Sequence, residues 1–346
     1  MRRRSSFPSR NAAERAGKFA MAVLHRSASA REWCSQNGVR IERAQAVTVD
    51  SLGGFLVPSE LSMAIIDNRD RYGAFRRGAQ VEPMASEIQL ITKSGSGLMT
   101  RFFGEGQTIT ESQVEIGQVQ LVAQKAGALV RASSEVDEDS AVEFGEFIAV
   151  EFGHALAVME DSCGFNGDAT STYGGTYGLR PALIDGAHDA SRVVAATGHN
   201  TFAEIDADDL ANLMALLPEW AYPGAAWYCS AYAYAQTFCR AEIAAGGLTA
   251  SIVDGEIVAF FKGFPVILTP VMPGAGNHDG TVMLLFGDLE RAAILGERKG
   301  LEIERGEHVF FATDEVAYKG KERIDIVNHG LGDNDTAGAM VGLVGG

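Results

Sequence analysis

The sequence predicts an α+β fold, and three observations carry the prediction. Residues 87–92 (Glu-Ile-Gln-Leu-Ile-Thr) and 114–122 (Val-Glu-Ile-Gly-Gln-Val-Gln-Leu-Val) alternate apolar with polar positions, the period of paired strands, around a polar, Gly-rich span at 93–113. An amphipathic helix runs without interruption from Ala141 to about Met159. Beyond Ile205, short apolar strands alternate with helical segments, as in a compact α/β unit. The ribbon is too long to bury itself: a strand usually holds about five or six residues, and a lone two-stranded ribbon is marginal in water. It needs another surface, and a second copy of the chain is the first candidate.

At 346 residues the chain can hold one large or two ordinary domains. Apolar residues at 46% and charged residues at 21% describe a globular chain and exclude a disordered one. No apolar run approaches the roughly 18 residues that cross a bilayer. The basic opening Met1-Arg2-Arg3-Arg4 is not followed by an apolar secretory core, and its Arg and Ser content leaves an organellar transit peptide as the alternative. Cys34, Cys163, Cys229 and Cys239 lie far apart with no CxxC pair, which favours reduced thiols in a cytosol over disulfides or a zinc site. Charge is unevenly placed. Residues 1–43 carry ten Lys/Arg against three Asp/Glu, a balance of +7; the rest holds 19 and 42, a balance of −23, which brings the chain to −16. A body this acidic is a poor platform for phosphate backbones. The basic arm either takes that part or docks on the acidic body of its own or a neighbouring subunit, the preferred reading.

Taken in order, Ala12, Ala16, Phe19, Ala20, Val23 and Leu24 make a helical stripe, and a second short helix holds Trp33. Residues 1–52 thus read as a basic, partly helical arm without a core of its own. Gly53-Gly54-Phe55-Leu56-Val57-Pro58 opens the folded body, and 60–71 is a short helix with Leu61, Ile65 and Ile66 on its apolar side. In the ribbon's return arm, Val114 and Ile116 share one face whereas Val119, Leu121 and Ala123 share the other; the switch at Gly117-Gln118 predicts a β-bulge. Ser140 and Glu143 form a capping box for the long helix. Its apolar side is Phe144, Phe147, Ile148, Phe152, Ala155, Leu156 and Met159, and it gives way at Gly164 to a Gly-rich loop reaching Gly178. Asp206 caps a helix that Pro218 terminates. A buried strand at 226–229 and a helix at 231–245 come next, then strands near 257–261, 265–269, 283–286 and 292–295. Late strands at 309–317 and 323–327 return to the first body.

Residues that carry chemistry are sparse. The acidic run from Glu135 to Asp139, with Asp137 at its centre, sits at a helix N-terminus, where the dipole favours carboxylates without any catalytic role. The glycines of 164–178 lack the Lys-Ser/Thr of a phosphate loop. The seven histidines show no HxxxH or HxH spacing, no GxSxG elbow occurs, and Ser133 and Ser134 have no recognisable base. Aromatic stretches at 220–222, 227–228 and 232–234 read as core and interface. No catalytic, metal or cofactor-binding residue is assigned, and no cofactor is expected. The expectation is a chain that is not an enzyme and works through its shape. Its rival from another class is a cytosolic enzyme using the acidic groups near Asp137 or Asp168.

One family joins these pieces. Gly53-Gly54-Phe55-Leu56-Val57-Pro58, Phe102-Phe103-Gly104-Glu105-Gly106 with Glu111-Ser112, and the run from Lys125 to Glu135 before Asp139-Ser140 are its first signposts. Glu160-Asp161, Phe165-Asn166-Gly167-Asp168, Gly263-Phe264-Pro265-Val266, Phe286-Gly287-Asp288 and Arg323-Ile324-Asp325 follow. Their order across about 50–330 resembles the major capsid proteins of tailed bacteriophages, the Hong Kong 97-type fold. The resemblance implies an N-terminal arm at 1–52, the start of a peripheral domain at 53–84 and an extended loop at 85–124. It continues the peripheral domain over 125–205, with a spine helix at 141–162, and implies an axial domain at 206–310 and return strands with a C-terminal tail at 311–346. It also implies a virion protein, assembled in a host bacterial cytoplasm through pentamers and hexamers into an icosahedral shell. The shell would enclose double-stranded DNA held without sequence-specific binding; scaffold, portal and decoration proteins are candidate partners, and no membrane is involved.

Candidate subunit-interface residues are Arg101, Phe102, Phe103, Glu105, Glu111 and Gly117 on the ribbon, with Phe19 and Trp33 on the arm. The chain also departs from the family. Some members weld subunits through a Lys–Asn isopeptide bond on this loop, but 101–112 holds no lysine and Lys93 alone lies near the outer ribbon, so no weld is expected. About 50 residues precede Gly53, so a separate scaffold or none is expected in place of a long fused scaffolding segment. An encapsulin-like nanocompartment shell of the same fold is the first rival, the cytosolic enzyme the second, and a minor structural or decoration protein the third.

Overall fold

The computed structural model describes residues 10–24, 27–39, 55–56, 59–94, 116–133, 141–245, 250–253, 256–306 and 315–346. Along the chain lie α1 (Arg10–Leu24), α2 (Ala28–Gln36), β1 (Phe55–Leu56), α3 (Ser59–Tyr72), α4 (Phe75–Gly78), β2 (Gln80–Pro83), β3 (Ile88–Ser94), β4 (Ile116–Val122) and β5 (Gln124–Ser133). The long helix α5 (Ala141–Asn166) follows, then α6 (Leu179–Ala182), β6 (Arg192–Val194), α7 (Ala207–Leu216), β7 (Ala226–Cys229), α8 (Ala231–Ala233) and α9 (Arg240–Ala245). Last come β8 (Ala250–Val253), β9 (Glu256–Phe261), β10 (Phe264–Leu268), β11 (Val282–Gly287), α10 (Leu289–Ala292), β12 (Ala293–Gly306), β13 (Glu315–Asn328) and β14 (Met340–Val344). The α+β class is as expected.

The 26 residues of α5 make a rod about 39 Å long at 1.5 Å per residue. Its proline-free sequence keeps the backbone ladder unbroken, and α3 packs along one side. The close approach needs glycine: a Cβ on Gly153 would lie 2.6 Å from Asn68 Cβ and 2.9 Å from the Ile65 carbonyl. Small residues let α1 approach as well. Ala13, Ala16, Phe19 and Ala22 of α1 share one buried cluster with Ala64 and Ile65 of α3 and with Ile148, Ala149, Phe152 and Leu156 of α5. Ala30 and Cys34 of α2 extend it, and Ser27 caps that helix through a 3.4 Å bond from the Ala30 amide. The arm is therefore not a coreless tail over its described residues. Its apolar stripe is seated on the chain's own helices, the docking mode preferred from the charge pattern, although the seat itself is apolar.

A five-stranded sheet lies against these helices. β1, β12, β13 and β5 pair antiparallel in that order, and β2 runs parallel to β12. β12 and β13 have 14 residues each, more than twice the usual strand length. The expectation of a short strand at 292–295, and of two late strands, fails because charged residues beyond Glu297 resemble a loop. They are cross-strand pairs instead: Glu302 opposes Lys321 and Glu304 opposes Lys319. Residues 309–314 lie outside the described residues.

The second sheet has seven strands in the order β6-β14-β11-β7-β10-β9-β8. Its core holds Trp227, whose ring centroid lies 4.4 Å from that of Phe286, with Phe238 and Phe261 edge-on. A helix at 231–245 is present but loosens into a π turn at Tyr234–Cys239. All five residues of β14 are buried, so the C-terminus is no tail but an interior strand. With β6, it also carries this sheet beyond the 206–310 span. The α5 rod joins the two cores: Ile148 to Leu156 belong to the helical one, and Cys163 and Phe165 to that of the second sheet.

The ribbon is β3 paired with β4 in continuous register from Ile88↔Val122 to Ser94↔Ile116. No bulge interrupts it at Gly117-Gln118, where Gly117 faces Lys93 and Gln118 faces Thr92. The apolar face changes there because Val119 and Leu121 reach the chain's own core and Gly117 lies beyond it, exposed.

Deleting residues 340–346 is expected to abolish folding, since it removes an inner strand. Leu343→Ala should cost about 2–5 kcal/mol, read as a lowered denaturant midpoint; a soluble, cooperatively melting truncation would refute the interior role.

Candidate functional site

Two adjacent carboxylates near the end of α5, Glu160 and Asp161, are buried where an apolar helix face would be expected. Glu160 receives Arg76 in a two-pronged contact, Nη2 to Oε1 at 2.6 Å and Nε to Oε2 at 2.8 Å. Arg76 Nη1 also donates to Glu297 Oε2 of β12 at 2.9 Å. Arg69 of α3 donates to Glu322 Oε2 of β13 at 3.1 Å and lies 3.6 Å from both Glu160 and Glu297. Burial works to lower the Arg76 pKa, but the Glu160 and Glu297 carboxylates more than offset it and hold the guanidinium charged. Asp161 accepts the amides of Ala74 and Phe75 at the start of α4 and the Thr269 hydroxyl beyond β10. Burial pushes its carboxyl up, and these donors pull against that shift.

The network holds three carboxylates for two guanidinium groups. Glu322 is the odd one. Its Oε1 and the Nε of Arg69 have no hydrogen-bond partner among the described residues. Burial first, then the charge of Glu160, raises its pKa to about 7. Such a group keeps a proton that an exposed glutamate would lose. The arrangement locks helices to sheet; it presents no nucleophile and no open face to a substrate.

Other polar groups are likewise engaged. Asp168 Oδ1 accepts from Thr170 N and Oγ1 at 3.0 and 2.6 Å, a local turn. His199 Nδ1 lies 2.6 Å from Asp209 Oδ2, and with Asp206 these make a trio close enough to hold an ion. Both aspartates already belong to the capping box of α7, with Asp206 accepting the Asp208 and Asp209 amides. A cleft of about 420 Å³ opens beside the ribbon base, but its Asp325 is bound to the Val122 and Ile326 amides.

Of the interface candidates, Arg101, Phe102, Phe103, Glu105 and Glu111 lie outside the described residues, as do Glu135, Asp137 and the Ser140 cap. Gly117 is exposed on β4. Phe19 is only 3% exposed, so its ring is committed to the chain's own core and offers no free surface. Trp33 is half-buried beside it. On the long helix, Phe147 faces outward instead of into the core, and exposed His154 packs edge-on against Tyr72. Glu160-Asp161 was visible in the sequence as a motif, and two acids interrupting an apolar helix were the signal for burial. Nothing local marked Arg69, Arg76, Glu297 or Glu322 as their partners.

No curated protein sequence matches this one. The model of the phage capsid family matches residues 53–328, well over half of the chain. The chain belongs to the phage capsid family. Among solved structures, this capsid protein is similar to the capsid of an empty GTA particle, with 16% identity and a TM-score of 0.56 over 90% of this chain and 97% of that one. It is also similar to a chain of Mycobacterium phage Adephagia, at 17% identity and a TM-score of 0.53 over 80% and 90%. The holo-SrpI encapsulin complex from Synechococcus elongatus PCC 7942 gives 13% and 0.52 over 78% and 85%. At these identities the likeness is one of fold, the Hong Kong 97-like fold expected from the motif order. The buried acid–arginine joint is thus the framework of a structural capsid protein. Among the described residues no helix is long and apolar enough to cross a membrane.

Folded Glu322 binds its proton up to about pH 7, against an ordinary 4.5, so the folded state holds more protons than the unfolded one between those values. Its contribution to stability is therefore full below about 4.5 and is lost as pH rises through about 7. Glu322→Gln is expected to remove that slope and to melt above wild type at alkaline pH in scanning calorimetry; parallel pH profiles would refute it. Glu160→Gln should instead destabilise by about 3–5 kcal/mol at neutral pH, because it breaks a buried pair.

Proposed function

We propose that this capsid protein assembles through pentamers and hexamers of itself into an icosahedral shell around a double-stranded DNA genome. The family match over 53–328 carries the reading. The ribbon supports it physically. Ile88 and Leu90 of β3 are 53% and 59% exposed on a two-stranded sheet, an apolar edge that a second copy would cover. On this reading 85–124 is the extended loop and lies over a neighbouring subunit, with Arg101, Phe102, Phe103, Glu105, Glu111 and Gly117 supplying contacts. The long sheet and α5 form the peripheral domain, and the seven-stranded sheet forms the axial domain around which pentamers and hexamers close. Trp33 keeps part of its ring for a neighbour, whereas Phe19 serves the seat of the arm.

Closed symmetry makes one modest contact, repeated many times, hold a shell. The overlap is non-covalent, since the Lys93 ammonium already donates to the His329 carbonyl of its own chain. An acidic inner wall would repel DNA and let it move during packing. The virion is then the site of action and the host cytoplasm the site of assembly, with scaffold, portal and decoration proteins as partners. The encapsulin likeness gives a second reading with the same shell and an enzyme cargo; the phage family match favours the genome.

Electron microscopy of the expressed protein is expected to show uniform hollow particles or their pentamers and hexamers, and a small monomer with hydrolytic activity would sink the reading. Replacing residues 95–113 with a short Gly-Ser turn should leave a folded subunit that does not assemble. Shells that form normally from that variant would remove the ribbon from the contact.

A further inference from the structure

The face of the long sheet turned away from α5 is divided along its strands. The ribbon base covers one end: Leu121 and Ala123 bury Met84 and Ile294, and Asp325 holds the Val122 amide at 2.6 Å. Beyond that cover the same face continues uncovered among the described residues, with Lys125 and Lys319 exposed and Leu129 56% exposed. Opposed residues of an antiparallel ladder share a face. Arg323 opposes Lys125, two cations on neighbouring strands. Lys319 and Lys321 oppose Glu304 and Glu302, and Lys321 Nζ lies 3.4 Å from Glu302 Oε2. Among the described residues the Lys125–Arg323 pair has no carboxylate opposite it. Strands lie about 4.8 Å apart, and like charges directly opposite one another destabilise a sheet. In a chain of net charge −16 this pair is a local reversal of sign.

We propose that the Lys125–Arg323 pair, with Leu129 four residues further along β5, docks a carboxylate-bearing segment of a second copy of this chain. The proposal rests on the shell reading and adds the receiving surface. Charge complementarity favours a copy: residues 101–115 alone hold Glu105, Glu111 and Glu115 against Arg101. Continuity favours it too, because the face already accepts the chain's own ribbon base. An exposed leucine gives a protein segment an apolar contact that a phosphate backbone cannot use.

The test combines Lys125→Gln with Arg323→Gln. The double variant is expected to melt no lower than wild type, because like-charge repulsion is relieved, yet to need about tenfold more protein to form particles. Wild-type assembly should weaken as NaCl rises from about 0.05 to about 0.5 M, where screening shortens, and the variant should lose most of that dependence. Lys125→Arg with Arg323→Lys should restore wild-type behaviour. Carbodiimide coupling in particles mixed from isotope-labelled and unlabelled chains should join Lys125 to a glutamate of another copy. Assembly of the Gln variant at wild-type concentration and salt dependence would overturn the proposal, as would coupling confined to one chain. So would unchanged assembly with less retained nucleic acid, which assigns the pair to a polyanion. In each of these cases wild-type particles still form and the shell reading survives; absence of wild-type particles sinks the shell reading itself.

Discussion

The fold depends on charge buried at one turn of α5. Glu160 reaches Arg76 and, through it and Arg69, both long strands; Asp161 reaches α4 and the edge of the second sheet. Two neighbouring residues thus connect every layer of the molecule. A hydrophobic contact of similar volume stabilises such a junction as well or better, because buried ion pairs often lose more in desolvation than they regain. What it lacks is direction. Bidentate guanidinium–carboxylate geometry accepts one arrangement of helix against strand, whereas apolar surfaces slide.

Around that joint, apolar packing supplies the bulk of the stability. The helical core and the second-sheet core meet along α5, so a rigid rod about 39 Å long transmits the position of one to the other. The arm adds to the first core through alanines and a single phenylalanine. Lys18 is half-buried beside that seat, and Arg31 Nε donates to the Ala22 carbonyl to tie the two arm helices together. Apolar stripe and charge were both visible before folding, but the stripe decides where the helix goes.

What could be read from the sequence follows from how local its cause is. The α7 cap at Asp206, the 226–229 strand and the long helix are written in consecutive residues, and they stand where expected. Strands whose partners are distant were harder. Glu302 and Glu304 resemble a loop until Lys319 and Lys321 are placed opposite them, and Met340–Val344 resembles a tail until β11 and β6 flank it. The supposed bulge is the same error in reverse: a change of apolar parity at Gly117 was taken for a change in backbone, when only the covering surface changes. Of the candidate site, the motif Glu160-Asp161 was legible and its arginine partners were not. Sequence separations of 84 to more than 200 residues leave no local trace.

Strand β13 shows why such charges persist despite their cost. From Lys319 to Arg323 it alternates Lys, Gly, Lys, Glu, Arg, with the odd positions on the outer face and Glu322 among the helices. A one-residue slip would exchange the faces. It would drive Lys321 and Arg323 into a layer already holding Arg69 and Arg76, and would turn Glu322 toward solvent. Glu160 and Glu297 alone would then face four cations. Together with the buried Ile294, Leu295, Ile324 and Ile326, the surplus carboxylate inside and the cations outside select one register. The inner excess is met by a held proton, and the outer cations stand in solvent, open to the partner proposed above. A subunit built this way is correctly registered but electrostatically unfinished, and a second chain can complete it.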